Sequence, residues 1–323
     1  MRFLYKLYHP EIFQGSKEKK NYFEGWYFKV VNSDGSNALA IIPGVSIGRE
    51  EEDHAFVQVL DGNKAKAYYY HFPIETFQAD AKLLHVRIGN NIFSKGEIIL
   101  DLPEFTGSIK MNNHHPIPVS TFSPGIMGWY SFTPFMQCYH GVISMYHQLN
   151  GELKCFGKTA NFDDGIGYLE KDWGTSFPKC WIWSHCNHFD YDSPVSLMAS
   201  VAHIPWMGSY FIGFIVAFLF ENKVHIFATY NNSRMKVKVE NEEAILSFKK
   251  KNKILSLKCI PGPGADLKSP IKGLMKGRVN ESLQASLRVK YQNGKQEIDL
   301  QGQHGGLEIA GEIDILLSDK WRK

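Results

Sequence analysis

Gly25–Pro43 reads GWYFKVVNSDGSNALAIIP, and Ile182–Pro205 reads IWSHCNHFDYDSPVSLMASVAHIP. Each stretch is an aromatic run of strand formers, an Asp-centred turn and an apolar run, the pattern of a β-hairpin. Ser33-Asp34-Gly35 stands against Tyr191-Asp192-Ser193, and Leu39 against Leu197, at an offset of about 158 positions. That offset is close to half of the 323 residues, so the echo implies two similar β units in tandem.

The rest of the chain supports an all-β class. ALAIIPGVSIG, HAFVQVLDG, KAYYYHFPI, LHVRIGN, NIFSKGEIILDL and TGSIKM are short, rich in β-branched or aromatic residues, and cut by Gly, Asn, Asp or Pro. VHIFATYNN, MKVKVE, AILSFKKKNKILSLKCI, SLQASLRVKY and LEIAGEIDILL continue the pattern, and helix signals are scarce. The expected architecture is antiparallel barrels or sandwiches, with units at 1–165 and 166–323 and a boundary near Gly165. Asn112–Ser144, rich in Pro, Gly and aromatics without clean periodicity, is expected to pack across the mouth of the first unit as a lid or wall.

Charge and composition narrow the function classes. Lys and Arg number 36 against 33 Asp and Glu, and KVKV and FKKKNK are the longest basic stretches, so nucleic acid is not indicated. The longest apolar run, Tyr210–Phe220, is 11 residues, well short of the roughly 20 that a membrane helix needs. The N-terminal MRFLYKLYHPEIFQGSKEKK has no secretory h-region, and Cys138, Cys155, Cys180, Cys186 and Cys259 are odd in number and unevenly spaced. Free thiols and a cytoplasmic location are expected.

Ionisable groups gather among indoles in Gly165–Asp190, GIGYLEKDWGTSFPKCWIWSHCNHFD. On an extended strand, alternation puts Trp181, Trp183, His185, Asn187 and Phe189 on one face, and Cys180, Ile182, Ser184, Cys186 and His188 on the other. The first set suits the wall of a small-molecule pocket, or, more plainly, a barrel core. Tyr168, Glu170 and Asp172 share a face with Lys171 opposite. A carboxylic acid against indoles keeps its proton to higher pH and can act as a general acid, while the ring faces stabilise a nearby carbocation. The alternative is a solvated E-K-D turn. Glu24, Trp26 and Phe28 fall together in NYFEGWYFK, where Glu24 either serves the site, pairs with Lys29 or caps a turn.

Rival motifs lack their context. GVSIG, Gly44–Gly48, matches a nucleophile elbow, but REEEDHAFVQVLDG follows it with acids and a strand instead of a helix. Cys180, His185, Cys186 and His188 have no CxxC or HxxxH spacing, and no metal is expected. His114, His115, His140 and His147 read as surface or core histidines, and PGPGAD as a turn.

FEGWYFKV followed by AIIPG, GWYSFTPFMQCYHG, YLEKDWGTSFPKCWIWSHCN and, more weakly, GLMKGRVNESLQASLRV resemble the tocopherol cyclase family. The resemblance covers most of the chain, and the Y-x-E-x-x-W-G element with its trailing W-x-W is the specific part. It implies two tandem lipocalin-like barrels, a relationship to carotenoid 1,2-hydratases, and ring closure or hydration of an isoprenoid by proton transfer without a redox cofactor. Glu170 stands where the hydratases carry Asp, which makes it the implied proton donor. Tyr168, Trp173, Trp181 and Trp183 are then expected to shape the pocket, and Asp172, His185 and Asn187 to hold a hydroxyl or assist proton return, with Asp172 and Tyr168 counted as catalytic beside Glu170. Glu24, Trp26 and Tyr27 are expected to close the site from the first barrel. Asp172 replaces an Asn of those relatives and His185 a Gln of the plant cyclases, so the implied substrate widens to prenylated phenols, quinols or terpenoids. With no plastid-type transit peptide, a bacterial-type member is expected. The expected partner is a hydrophobic small molecule, with a membrane surface as a place for loading it; oligomeric state is left open. The alternative function is a non-catalytic lipid- or terpenoid-binding protein on the same barrels.

Overall fold

A computed structural model describes residues 2–16, 20–48 and 52–322. Residues 49–51, part of the acid run after GVSIG, and residues 17–19 of the N-terminal segment lie outside the described residues. The chain forms two 12-stranded antiparallel sheets, each wrapped around its own apolar core. This is the tandem lipocalin-like arrangement.

In the first sheet, Tyr22–Val31 is flanked by Ala38–Ile47 on one side and Gly165–Gly174 on the other. In the second, Cys180–Cys186 is flanked by Ser196–Trp206 and Gln296–Gly311. The two echoed stretches are therefore equivalent opening hairpins, and in each unit a late strand returns to pair with the opening strand; the second unit then adds Ser318–Arg322 against Arg234–Glu240. This return moves the expected boundary. Gly165 begins the closing strand of the first sheet, and the chain changes sheets between Gly174 and Cys180.

Side-chain alternation makes both opening strands and both closing strands two-faced. Trp26, Phe28 and Leu169 enter the first core, while Cys180, Ile182 and Cys186 enter the second. The opposite faces meet each other. Tyr168, Trp183, Met198 and Ala217 join Ile117, Ile126, Met127 and Met136 in a third apolar cluster between the sheets. Ala40 and Leu60 meet Leu267, Val279 and Leu283 in a fourth. The connection within Asn112–Ser144 thus fills the seam between the sheets instead of covering the mouth of the first, because its apolar side chains find the larger unburied surface there. Its last residues already belong to the strand Cys138–Cys155.

Among the described residues, no helix is long and apolar enough to cross a membrane. The five cysteines are free thiols.

Candidate active site between the two sheets

The seam opens into a cleft. Its cavity volume is about 190 Å³, continuous with an open mouth. Aromatic and apolar side chains such as Tyr27, Phe56, Tyr130, Trp181, Trp183 and Phe211 form most of the wall. Four acids interrupt it: Glu170, Asp172, Glu281 and Glu308.

Glu170 is buried, and its Oε2 collects donors. The Tyr168 hydroxyl donates to it at 2.5 Å and the Trp183 indole N–H at 3.2 Å. His140 Nε2 lies 3.3 Å from the same oxygen, an ion-pair distance outside hydrogen-bond geometry, while its Nδ1 lies 2.8 Å from Asp172 Oδ1. Burial alone would lower the proton affinity of His140, yet the charges of Asp172 and Glu170 and the hydrogen bond to Asp172 outweigh it and push the ring up to about 10. His140 is an imidazolium at neutral pH. The donor atoms of His140, Glu170 and Asp172 lie within 4.8 Å of one another, a spacing that suits a cation. The His140 ring stands between the two carboxylates.

Glu281 and Glu308 come from adjacent strands, Leu274–Asn293 and Gln296–Gly311, where they are direct cross-strand partners. Tyr27 donates to Glu281 Oε1, and Trp181 Nε1 donates to Glu308 Oε2 at 2.5 Å. Burial raises Glu281 well above the usual carboxylate range, with the charge of Glu308 adding to it. Burial likewise pushes Glu308 up to about 8, helped by Glu170 and Asp172 and opposed by the Trp181 hydrogen bond. Glu308 keeps some accessible surface because it faces the cleft.

The structure brings together Tyr27, Tyr168, Glu170, Asp172, Trp181 and Trp183 of the expected set. It separates five others. Glu24 and Trp26 lie on the opposite face of the opening strand: Glu24 pairs with Lys171 at 2.6 Å and accepts from the backbone of Gln14 and Gly15, and Trp26 donates to the Glu11 carbonyl. Trp173 shares the Lys171 face and stacks on Tyr139. His185 sits behind the wall, stacked on Tyr168 at 3.6 Å between centroids, with Lys29 Nζ 3.5 Å from its Nδ1. Asn187 leaves the ladder and ties the sheets by donating to the Gly167 carbonyl. Beyond that break the faces exchange, so Phe189 packs in the second core and His188 turns to His304 and Lys29. Lys29 reaches across to the His304 carbonyl, so Glu24 and Lys29 do not pair.

His140, Glu281 and Glu308 were missed by sequence reasoning. No clear signal marked the two acids: Glu281 lies among polar residues in RVNESL, and Glu308 shares its strand with Glu297 and Asp299. Ser46 of GVSIG lies near the end of the strand Ala38–Ile47 and donates to the Gly273 carbonyl at 2.8 Å.

Residues 117–311 match the family described as tocopherol cyclase-like, which is more than half of the chain and includes Glu170, Trp183, Glu281 and Glu308. The chain belongs to the tocopherol cyclase-like family. Among curated proteins, it is 32% identical over 74 residues to a chloroplastic tocopherol cyclase of Zea mays, covering 23% of this chain and 16% of that protein. A protein of Oryza sativa subsp. japonica named a probable chloroplastic tocopherol cyclase is 31% identical over 62 residues, covering 19% of this chain and 13% of its own length. Only a small part of either relative is therefore matched. Among solved structures, CghA with Sch210972 superposes with a TM-score of 0.59 at 12% identity, covering 93% of this chain and 89% of that one, a likeness of fold.

Proposed function

We propose that this tocopherol cyclase-like protein is an acid–base enzyme that closes a ring on, or hydrates, an isoprenoid such as the tail of a prenylated phenol or quinol. The supporting observation is the placement of Glu170: a carboxyl in an aromatic cleft, held by Tyr168, Trp183 and His140, beside two further acids with raised proton affinity.

The proposed reaction begins when a proton from the cleft adds to one carbon of the trisubstituted alkene, leaving a tertiary cation on the other. Tyr27, Trp181 and Trp183 line the cleft, and a good cation–π contact with an aromatic ring stabilises such a charge by about 0.5–2 kcal/mol. The oxygen of the substrate phenol, or of water, then bonds to the cation and loses its proton to a base. Sequence reasoning gave Glu170 the first proton. The donors converging on its Oε2 suit the carboxylate better, so Glu170 is assigned the second role, receiving the hydroxyl's proton. Asp172 and His140 hold it in place.

Incubation with a prenylated hydroquinone, followed by chromatography and mass measurement, tests this reading. A product of unchanged mass marks cyclisation and a gain of one water marks hydration. Glu170→Gln is expected to lose about 10²–10⁴ in turnover while still binding the ligand. Bound but unaltered substrate with the wild-type protein would favour a carrier.

A further inference from the structure

Glu281 and Glu308 are a pair, and their position in the fold repeats that of Glu170. On the first closing strand, Glu170 is registered directly opposite Tyr27 of the opening strand. On the second closing strand, Glu308 is registered directly opposite Trp183 of the opening strand. Both unit closures thus deliver an acid to the same cleft, next to an aromatic of the partner strand. The second unit adds Glu281, the cross-strand neighbour of Glu308. Such neighbours have Cβ atoms about 4.5–5.5 Å apart.

Two carboxyls on directly paired positions of a desolvated wall, with Glu281 feeling the charge of Glu308, cannot both ionise cheaply, and a single shared proton relieves the repulsion. The surrounding donors fit that state. Each carboxyl has one hydrogen bond from an aromatic residue, Tyr27 to Glu281 and Trp181 to Glu308. The imidazolium of His140, by contrast, lies against Glu170 and Asp172.

We propose that Glu281 and Glu308 share one proton and are the acid of the reaction, Glu308 handing it to the alkene while Glu170 acts as the base. The assignment rests on the acid–base reading given above. In the forward step the Glu308 O–H bond breaks as the alkene π electrons form the new C–H bond, leaving the pair doubly ionised beside the cation. The phenol oxygen then forms the C–O bond, and its proton goes to Glu170. Exchange with water returns a proton to the pair and removes one from Glu170, so the net change is an isomerisation. The groups facing the pair are Tyr27 and Lys29 from the first opening strand, Glu170 and Asp172 from its partner, and His140. Burial is the largest reason that the pair keeps its proton towards neutral pH.

Infrared difference spectroscopy of the ligand-free full chain at pH 7, in H₂O and D₂O, tests the shared proton without any substrate. The expected result is a carboxylic C=O band, shifted by deuterium, that moves in both Glu308→Gln and Glu281→Gln and persists in Glu170→Gln. No such band in the wild-type protein, or one removed only by Glu170→Gln, would overturn the proposal whether or not the variants fold. With a prenylated hydroquinone, wild-type turnover is expected to fall as pH rises through about 8. Glu308→Gln is expected to lose about 10²–10⁴ in rate, and Glu308→Asp to restore part of it. Undiminished turnover in Glu308→Gln would refute the acid role. A wild-type band without any turnover would instead count against the isoprenoid reaction and leave the shared proton standing.

Discussion

The two faces of Gly165–Gly174 bury charge in opposite ways. On the face turned to the first core, Lys171 meets Glu24 at 2.6 Å, lies over the rings of Trp26 and Trp173, and donates to the carbonyls of Pro10 and Ile12. Burial pulls the lysine down to about 8 and Glu24 holds it up, so the pair is balanced and tied to the N-terminal segment. On the other face, Glu170 and Asp172 look across the cleft at Glu281 and Glu308, with His140 as the nearest cation. Balanced charge fastens a strand in place. An excess of one sign, enclosed by aromatics, stores protons, and strongly shifted acids of that kind mark functional sites more often than structural ones.

The sharpest way to break this contrast is Lys171→Met. It leaves Glu24 buried without its cation, and breaking such a pair typically costs about 3–5 kcal/mol. Denaturant unfolding should show a loss of that order, and an unaltered midpoint would mean the pair is not a fastening. A pH titration of stability probes the opposite face. The folded proton affinity of Glu308 is raised from 4.5 to about 8, so its contribution is fully present below pH 4.5 and is lost as pH rises to about 8. Glu308→Gln should flatten that part of the wild-type stability curve, and curves of identical slope would contradict the raised affinity. Next in size is Trp183→Phe, which removes one donor from Glu170. A hydrogen bond to a charged group contributes about 1.5–3 kcal/mol, so turnover should drop by one to two orders of magnitude with little change in fold, as read by kinetics and circular dichroism. Ser46→Ala should do least. Losing its bond to Gly273 costs about 0.5–1.5 kcal/mol, and turnover should be unchanged; a dead enzyme would revive the hydrolase motif.

Much of the fold was legible because strand alternation is a local property. The hairpin echo, the antiparallel class, the pocket face of Trp181 and Trp183 and the shared face of Tyr168, Glu170 and Asp172 all follow from period-two reading. What was lost is pairing at long range. Alternation grouped Glu24 with Trp26 correctly, but could not say which face looks into a core and which into the seam. Trp173 was misplaced because aromatic character was allowed to outweigh parity. Glu281 and Glu308 meet only through a ladder fixed by tertiary structure, and His140 becomes a cation only when Asp172 and Glu170 arrive beside it. The boundary near Gly165 failed for a similar reason: a returning strand is indistinguishable, by composition, from the start of a new unit.

The hydrogen bond from Tyr27 to Glu281 joins residues 254 positions apart. A ribosome that has finished the first sheet has therefore made half a reaction chamber, with Tyr168 and the neighbouring apolar seam facing open water. At about 5–20 residues per second, the opposite wall arrives on the order of ten seconds later. For that interval the nascent protein carries a greasy flank that invites chaperones or misassembly, a hazard inherent in dividing one reaction chamber between two halves of a polypeptide.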